Sequence, residues 1–250
     1  MPKTIHPLDF PDDFSTTREG LLAVGGNLHP ITIINAYAKG IFPWFNDDDP
    51  ILWWHPHPRM IIPPSAVHIS KKMKKLLNKT ALRPCFEPGR DELYQITLNQ
   101  DFMRVINECA NKRDKNRTDT WITDEMASTY ITLHEMGFAH SVEVWNQNGE
   151  LVGGVYGVAI GKAFFGESMF SHETNTSKLA LIHLCQFIDQ QGFTLLDCQI
   201  ENPHLVTLGG KNIARSKFLK LLNQAETNLK QPSLAFPSHQ TLRQVSSAGA

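Results

Sequence analysis

After Gly137 the hydrophobic period of the chain drops from helical to two, and that run constrains the fold more than any other feature of the 250 residues. Ser141-Val142-Glu143-Val144-Trp145 alternates, Asn148-Gly149 reads as a two-residue hairpin turn, and Leu151–Ile160 reads as the return strand. Gly161 starts a third strand, Ala163–Phe170. A helix follows, capped by Ser177 or Thr176, with Leu181, Ile182, Leu184, Cys185 and Ile188 at helical spacing and Gly192 as its end. Thr194–Gln199 reads as a buried strand, Asn202-Pro203 opens a helical turn, and Ser216 caps a last helix through Leu222. Strand-strand-strand-helix-strand-helix is an α+β, mixed-sheet order.

The first 62 residues read differently. Pro30 follows the Gly25-Gly26-Asn27 turn and opens a helix, Ile31–Lys39, that Gly40 can terminate. Aromatic segments at 41–45 and 51–54 flank an acidic turn, and Pro56, Pro58, Pro63 and Pro64 then interrupt regular structure. These shifts imply a small N-terminal domain over 1–62, a larger domain over 63–230, and a loosely held tail over 231–250. Within the larger domain Ser70 caps a helix with Met73, Leu76 and Leu77 inward. A second helix is expected over Phe102–Arg113, and a third, capped by Thr123, over Asp124–Met136.

Composition excludes several classes. The formal net charge is −1, unlike the strongly basic balance of a protein that coats nucleic acid, though a local basic patch remains open. Cys85, Cys109, Cys185 and Cys198 lie far apart without CxxC spacing and read as reduced thiols. No HExxH occurs, and the HxH pair His55-Pro56-His57 sits in a proline-rich turn, so no metal site is expected. No secretory signal and no apolar run near the ~20 residues of a membrane span is found, which points to a cytoplasmic location and no membrane partner.

Two acids sit in apolar strands, where an uncompensated carboxylate is costly. Asp197 and Gln199 are i and i+2, so a regular strand puts them on one face and turns Cys198 away. Asp197 is either a site residue or a structural acid bonded to backbone amides near the Asn202 turn. Glu167 lies among Phe164, Phe165, Met169 and Phe170. Alternation groups Phe165, Glu167 and Met169 against Phe164 and Ser168, unless Gly166 bulges and resets the register. Lys71, Lys72, Lys74 and Lys75 cover the outer face of the Ser70 helix, as phosphate ligands or as a solvated face.

Several segments together carry a resemblance: Gly20–Leu28, Gly40–Phe45 with Ile51–Trp54, Ala139–Glu143, Gly153–Gly157, Gly166–Ser171, and Leu196–Gln199 with Asn202–Leu205. In this order and spacing the chain resembles the bacterial leucyl/phenylalanyl-tRNA–protein transferase family from about residue 10 to 225. The resemblance implies a small N-terminal domain and an N-acetyltransferase-like mixed-sheet catalytic domain. It implies a cofactor-free reaction in which leucine or phenylalanine, and methionine as a further donor, passes from aminoacyl-tRNA to the α-amine of proteins with N-terminal Arg or Lys, marking them for N-end-rule degradation. It assigns Asp197 and Gln199 to aligning and deprotonating that amine; Glu167 reads as a contact to the polar end of the aminoacyl group or as a strand carboxylate bonded to a neighbouring backbone group or Lys. The resemblance puts Phe164, Met169, Leu181, Leu184 and Leu196 in the amino-acid pocket and adds Ser168 and Asn202 as substrate contacts. Val155 stands where a larger Leu or Met is usual. Trp44, after Phe42-Pro43, is a candidate stacking surface for the terminal adenine or else a core Trp, and Trp121 a candidate wall between domains.

Two other functions compete. An acyl-CoA enzyme of similar fold needs a glycine-rich anion turn after the third strand, but Ser171-His172-Glu173-Thr174-Asn175-Thr176 has no glycine and one acid. A non-enzymatic RNA adaptor would account for the lysines and tryptophans but not for the two strand acids.

Overall fold

The computed structural model describes residues 3–4, 10, 15–111, 122–227, 230–232 and 234. Four short strands form a small sheet: β1 (Lys3–Thr4), β2 (Leu21–Val24), β3 (Phe42–Pro43) and β4 (Leu52–Trp54), in the order β1-β2-β4-β3. Between β2 and β3 runs α1 (Pro30–Ala38), whose first turn is capped by His29 Nδ1, 3.3 Å from the Ile31 N–H. The chain then enters a larger sheet through β5 (Arg59–Ile62), continues through α2 (Lys71–Leu77), β6 (Thr80–Leu82), β7 (Tyr94–Leu98), α3 (Phe102–Ala110) and α4 (Asp124–Glu135), and reaches β8 (Ala139–Asn146), β9 (Leu151–Ile160) and β10 (Ala163–Ser171). The remaining elements are α5 (Thr176–Gln190), β11 (Leu195–Gln199), α6 (Pro203–Val206), β12 (Lys211–Ile213) and α7 (Arg215–Gln224).

The large sheet has eight strands in the order β12-β5-β11-β10-β9-β8-β7-β6, a mixed sheet in which β10–β11 and β6–β7 are the parallel pairs. Strand alternation splits its side chains between two cores. Phe164, Val155 and Leu196 pack with α5 and Met73 of α2 on one side. Phe165, Tyr156 and Leu195 pack with α1, α3, α4, α7 and the small sheet on the other. The small sheet therefore shares a continuous core with the large one. β5 supplies residues 59–62, on the N-terminal side of the boundary expected at 62, yet pairs with both β11 and β12.

The period-two reading of 139–171 holds, with instructive differences. The hairpin loop is three residues, not two. Asn146 N–H donates to Glu150 O, Gly149 N–H donates back to Asn146 O, both at 3.0 Å, and only Gly149 is left-handed, at φ 76°. A glycine placed one position after the turn centre gives this longer loop with its bulge. The α5 helix begins behind Asn175 at φ 72°, without a side-chain cap. Thr176 instead bonds Val152 O at 2.8 Å and seats against Gly153, where a Cβ would stand 2.5 Å from the Thr176 Cβ. The last helix starts at Arg215, whose Nη2 bonds Thr16 Oγ1 and His55 O, so Ser216 lies inside it. The α3 helix stops at Ala110 because Asn111 turns extended.

Candidate active site

The site arises where two neighbouring strands part. β10 and β11 pair in parallel over only three positions, the last joining Phe165 to Asp197. At that point each strand is irregular. β10 shifts register against β9 between Gly166 and Ser168, making Glu167 the extra residue of a bulge. β11 shifts against β5 between Asp197 and Gln199, and Gln199 takes a left-handed φ of 63°. A cleft of about 760 Å³ opens between the diverging ends. Phe42, Pro43 and Trp44 form one wall, Glu108 and Cys109 at the end of α3 another, and Val155, Met169, Leu181 and Leu196 an apolar floor.

Glu167 is the central acid. Its Oε2 accepts the Tyr130 hydroxyl at 2.9 Å and its Oε1 the Gln199 side-chain amide at 2.9 Å. Tyr37 lies 2.6 Å from the Tyr130 hydroxyl and completes the chain on the core side. Burial raises the Glu167 pKa most, the Asp197 charge adds to that, and the tyrosine and Gln199 hydrogen bonds oppose it, leaving the acid at about 7. Burial and the Glu167 charge push both tyrosines well above the usual phenol range, so they remain donors.

Asp197 sits differently from the expectation of a face shared with Gln199. It is fully buried, and Arg59 Nε and Nη2 donate to its two oxygens at 2.8 and 2.6 Å. Its Oδ1 also accepts the Gln199 backbone N–H at 2.9 Å. The register shift breaks the alternation: Asp197 turns behind the strand, while Cys198 and Gln199 both reach the cleft. The bulge at Gly166 likewise regroups β10, so Met169 joins Phe164 on the α5 side and Phe170 joins Phe165 on the other.

The leucyl/phenylalanyl-tRNA protein transferase model matches residues 61–223, and the model of that family's N-terminal domain matches residues 26–57. The chain belongs to the leucyl/phenylalanyl-tRNA–protein transferase family. Curated members of the family similar to it come from Idiomarina loihiensis, 44% identical over 88% of either chain, Tolumonas auensis, 47% identical over 86% of either chain, and Nitrosomonas eutropha, 48% identical over 84% of this chain and 86% of that one. Among solved structures, L-PGS from Bacillus licheniformis aligns at 14% identity with a TM-score of 0.37, over 66% of this chain and 56% of that one, a likeness too loose to argue from.

The cleft gathers Glu167, Gln199, Trp44, Val155, Ser168, Met169, Leu181, Leu196 and Asn202 from the residues singled out in the sequence. Phe164 and Leu184 do not line it. Phe164 precedes the parting of the strands, where β11 still covers it, and Leu184 lies a turn beyond Leu181 on α5 with its side chain in the core. Trp121 falls outside the described residues. Trp44 is 43% exposed at the rim and anchored through its backbone, which accepts the Trp54 indole at 2.6 Å, whereas Trp53 is a core residue bonded to Gly25 O. Asn202 caps α6 through the His204 N–H at 2.8 Å. Lys71, Lys72, Lys74 and Lys75 are exposed on α2, which packs near β6, four strand spacings or ~19 Å across the sheet from β10. A second hollow of about 830 Å³ carries Asp47, Asp49, Asp124 and Glu125, all solvent-exposed, and lacks an embedded acid.

Sequence reasoning missed Arg59, Tyr37 and Tyr130. A signal existed for each. Arg59 is a cation directly before the apolar run Met60-Ile61-Ile62, the partner that a buried Asp197 requires. The two tyrosines lie on the inward faces of their helices, where a hydroxyl needs a partner.

Proposed function

We propose that this protein moves leucine or phenylalanine, with methionine a further donor, from aminoacyl-tRNA to the α-amine of cytoplasmic proteins beginning with Arg or Lys, and so marks them for N-end-rule degradation. The observation that carries the reading is an acid poised at about 7, Glu167, joined to the Gln199 amide above an apolar floor. Its affinity for a proton nearly matches that of a protein α-amine, ~7.7–8.0, so the proton passes between them at little cost. The charged side chains lining the cleft are Glu108, Glu167 and Glu201, and no Lys, Arg or His joins them among the described residues, a lining suited to an acceptor with a cationic first residue.

The catalytic sheet on this reading is of the N-acetyltransferase type, supported by three antiparallel strands, a helix, and a parallel strand that parts from its neighbour at the site. The aminoacyl side chain lies on Val155, Met169, Leu181 and Leu196, and the terminal adenine stacks on Trp44. The amine, held by Glu167 and Gln199, attacks the ester carbonyl carbon. Its proton goes to Glu167 and then to the departing 3′-oxygen as the ester C–O bond breaks, leaving an amide and a free 3′-hydroxyl. An aminoacyl ester is already activated, and holding the two reactants together supplies ~7–11 kcal/mol of barrier lowering. Asp197 acts through Gln199, whose backbone it fixes. Phosphates of the acceptor stem reach the α2 lysines.

The test is incubation with tRNA charged with labelled leucine and a peptide beginning with Arg. Label should move into RNase-resistant peptide, and an N-acetylated copy of the peptide should receive none. Label that stays on the tRNA, or enters both peptides equally, overturns the reading.

A further inference from the structure

We infer that Arg59 is a positioning residue that ties the Trp44 wall of the cleft to the Gln199–Glu167 pair, an inference that rests on the function proposed above. Arg59 is fully buried, and its guanidinium lies over two rings, 4.9 Å from the centroid of Phe42 and 4.6 Å from that of Phe218. Its Nε and Nη2 grip both oxygens of Asp197, at 2.8 and 2.6 Å. Asp197 in turn accepts the Gln199 N–H at 2.9 Å, and the Gln199 side chain reaches Glu167 at 2.9 Å.

Each contact has a geometric consequence. Phe42 lines the cleft and leads through Pro43 into Trp44, so the face of the guanidinium sets the wall on which the nucleotide is proposed to stack. The edge of the guanidinium fixes the carboxylate that holds Gln199 at φ 63°, a conformation that a non-glycine residue keeps only when its surroundings impose it. The second ring, Phe218 of α7, holds the guanidinium as well. It packs so closely on Gly40 that a Cβ there would stand 2.6 Å from its Cε1. One planar cation thus touches elements from the small sheet, the large sheet and the last helix. A buried ion pair is seldom more stabilising than apolar residues of the same volume, so its placement where the two strands part points to orientation and not to stability. Lysine cannot substitute, because an ammonium has neither the fork that spans both carboxylate oxygens nor the plane that lies over both rings.

The experiment measures kcat and KM for transfer of leucine from leucyl-adenosine to an Arg-peptide. It uses the wild type, Arg59→Lys, Arg59→Met, Asp197→Asn, and the Arg59→Met/Asp197→Asn double variant, with thermal unfolding followed alongside. Displacement of Gln199 by about an ångström lowers kcat ~10²-fold in Arg59→Lys and Arg59→Met, and loosening of the Phe42–Trp44 wall raises KM for leucyl-adenosine in both. In the Asp197→Asn background Arg59→Met costs less than a further ~3-fold in kcat, because for that step both act through one backbone amide. Should Arg59→Met fail to fold, Arg59→Lys and the charge-free double variant decide. A full-rate Arg59→Lys enzyme, or kcat losses that multiply in the double variant, overturns the inference alone. A wild type that transfers nothing overturns the underlying function and the inference with it.

Discussion

Gly157→Ala should damage both stability and catalysis although the residue touches no substrate. Gly157 is the register partner of Gly166 at the bulge that presents Glu167. A Cβ at 157 would stand 2.5 Å from Phe164 Cε1 and 3.0 Å from the Phe165 carbonyl carbon, with the carbonyl oxygen nearer still. Carbon–carbon contacts are comfortable at ~3.5–4.0 Å, so β9 and β10 must separate by about an ångström. Overpacking of this kind costs ~1–3 kcal/mol, and the upper figure applies because a ladder carbonyl cannot swing away. At ~2–4 °C per kcal/mol the melting temperature should fall by ~6–12 °C. The same displacement moves Glu167 relative to Gln199 and should lower kcat ~10²-fold, measured well below the melting transition. Gly166→Ala is the internal control. The nearest atoms to its added Cβ are Asp197 O at 3.5 Å and Leu196 Cδ1 at 3.7 Å, ordinary contacts, so stability should change by less than ~1 kcal/mol. A Gly157→Ala protein with wild-type melting and wild-type kcat, or equal damage at 166, would refute this account of the bulge.

Val155→Met narrows the cleft floor opposite Met169, its register partner, and should shift kcat/KM toward leucyl over phenylalanyl donors by ~1–3 kcal/mol; an unmoved ratio would show that the aminoacyl group does not rest there. Replacing Lys71, Lys72, Lys74 and Lys75 together by Ala should weaken tRNA binding and flatten its salt dependence by ~0.7–0.9 for each phosphate no longer neutralised. Turnover of leucyl-adenosine should be untouched, and an unchanged salt slope would leave that face merely solvated. Trp44→Ala should cost ~1–3 kcal/mol of stacking, read as a raised KM for leucyl-adenosine with melting unchanged; an unaltered KM would remove Trp44 from the donor site.

Elements whose signals are local were legible in the sequence. Ser70 accepts the Met73 N–H at 3.3 Å and Thr123 the Met126 N–H at 3.1 Å, as capping chemistry requires. The possibility of a bulge at Gly166 was also readable, because a glycine interrupting an alternating run is the usual mark of one. What escaped depends on long-range partners. β5 is four residues between prolines, and β12 is three residues after two glycines. β5 is held by β11 and β12 by β5, both partners distant in sequence, so neither carries a period of its own. For the site, the residue types were readable and the directions were not. Asp197 was expected beside Gln199 because strands alternate, yet the left-handed backbone of Gln199 sends Asp197 to Arg59, a residue 138 positions away. The same holds for Glu167. Its aromatic surroundings were plain in the sequence, but its pKa is set by burial and the Asp197 charge against the opposing hydrogen bonds of Tyr37 and Tyr130, groups brought together by three different elements.

The central claim is that Glu167 receives the proton of the attacking amine. Below about 7 its carboxylate is protonated and cannot accept, and it becomes competent as pH rises through that value. The acceptor amine deprotonates in turn near ~7.7–8.0. The decisive measurement is kcat/KM for transfer from leucyl-adenosine to an Arg-peptide, followed from below to above these two values in the wild type and in Glu167→Gln. The wild type should climb with a log slope of about two below pH 7 and about one just above it, while Glu167→Gln should lie ~10²-fold lower at neutral pH with a slope of about one up to the amine pKa, both profiles levelling above ~8. A Glu167→Gln enzyme that keeps the steeper limb, or turns over at the wild-type rate, would contradict the account.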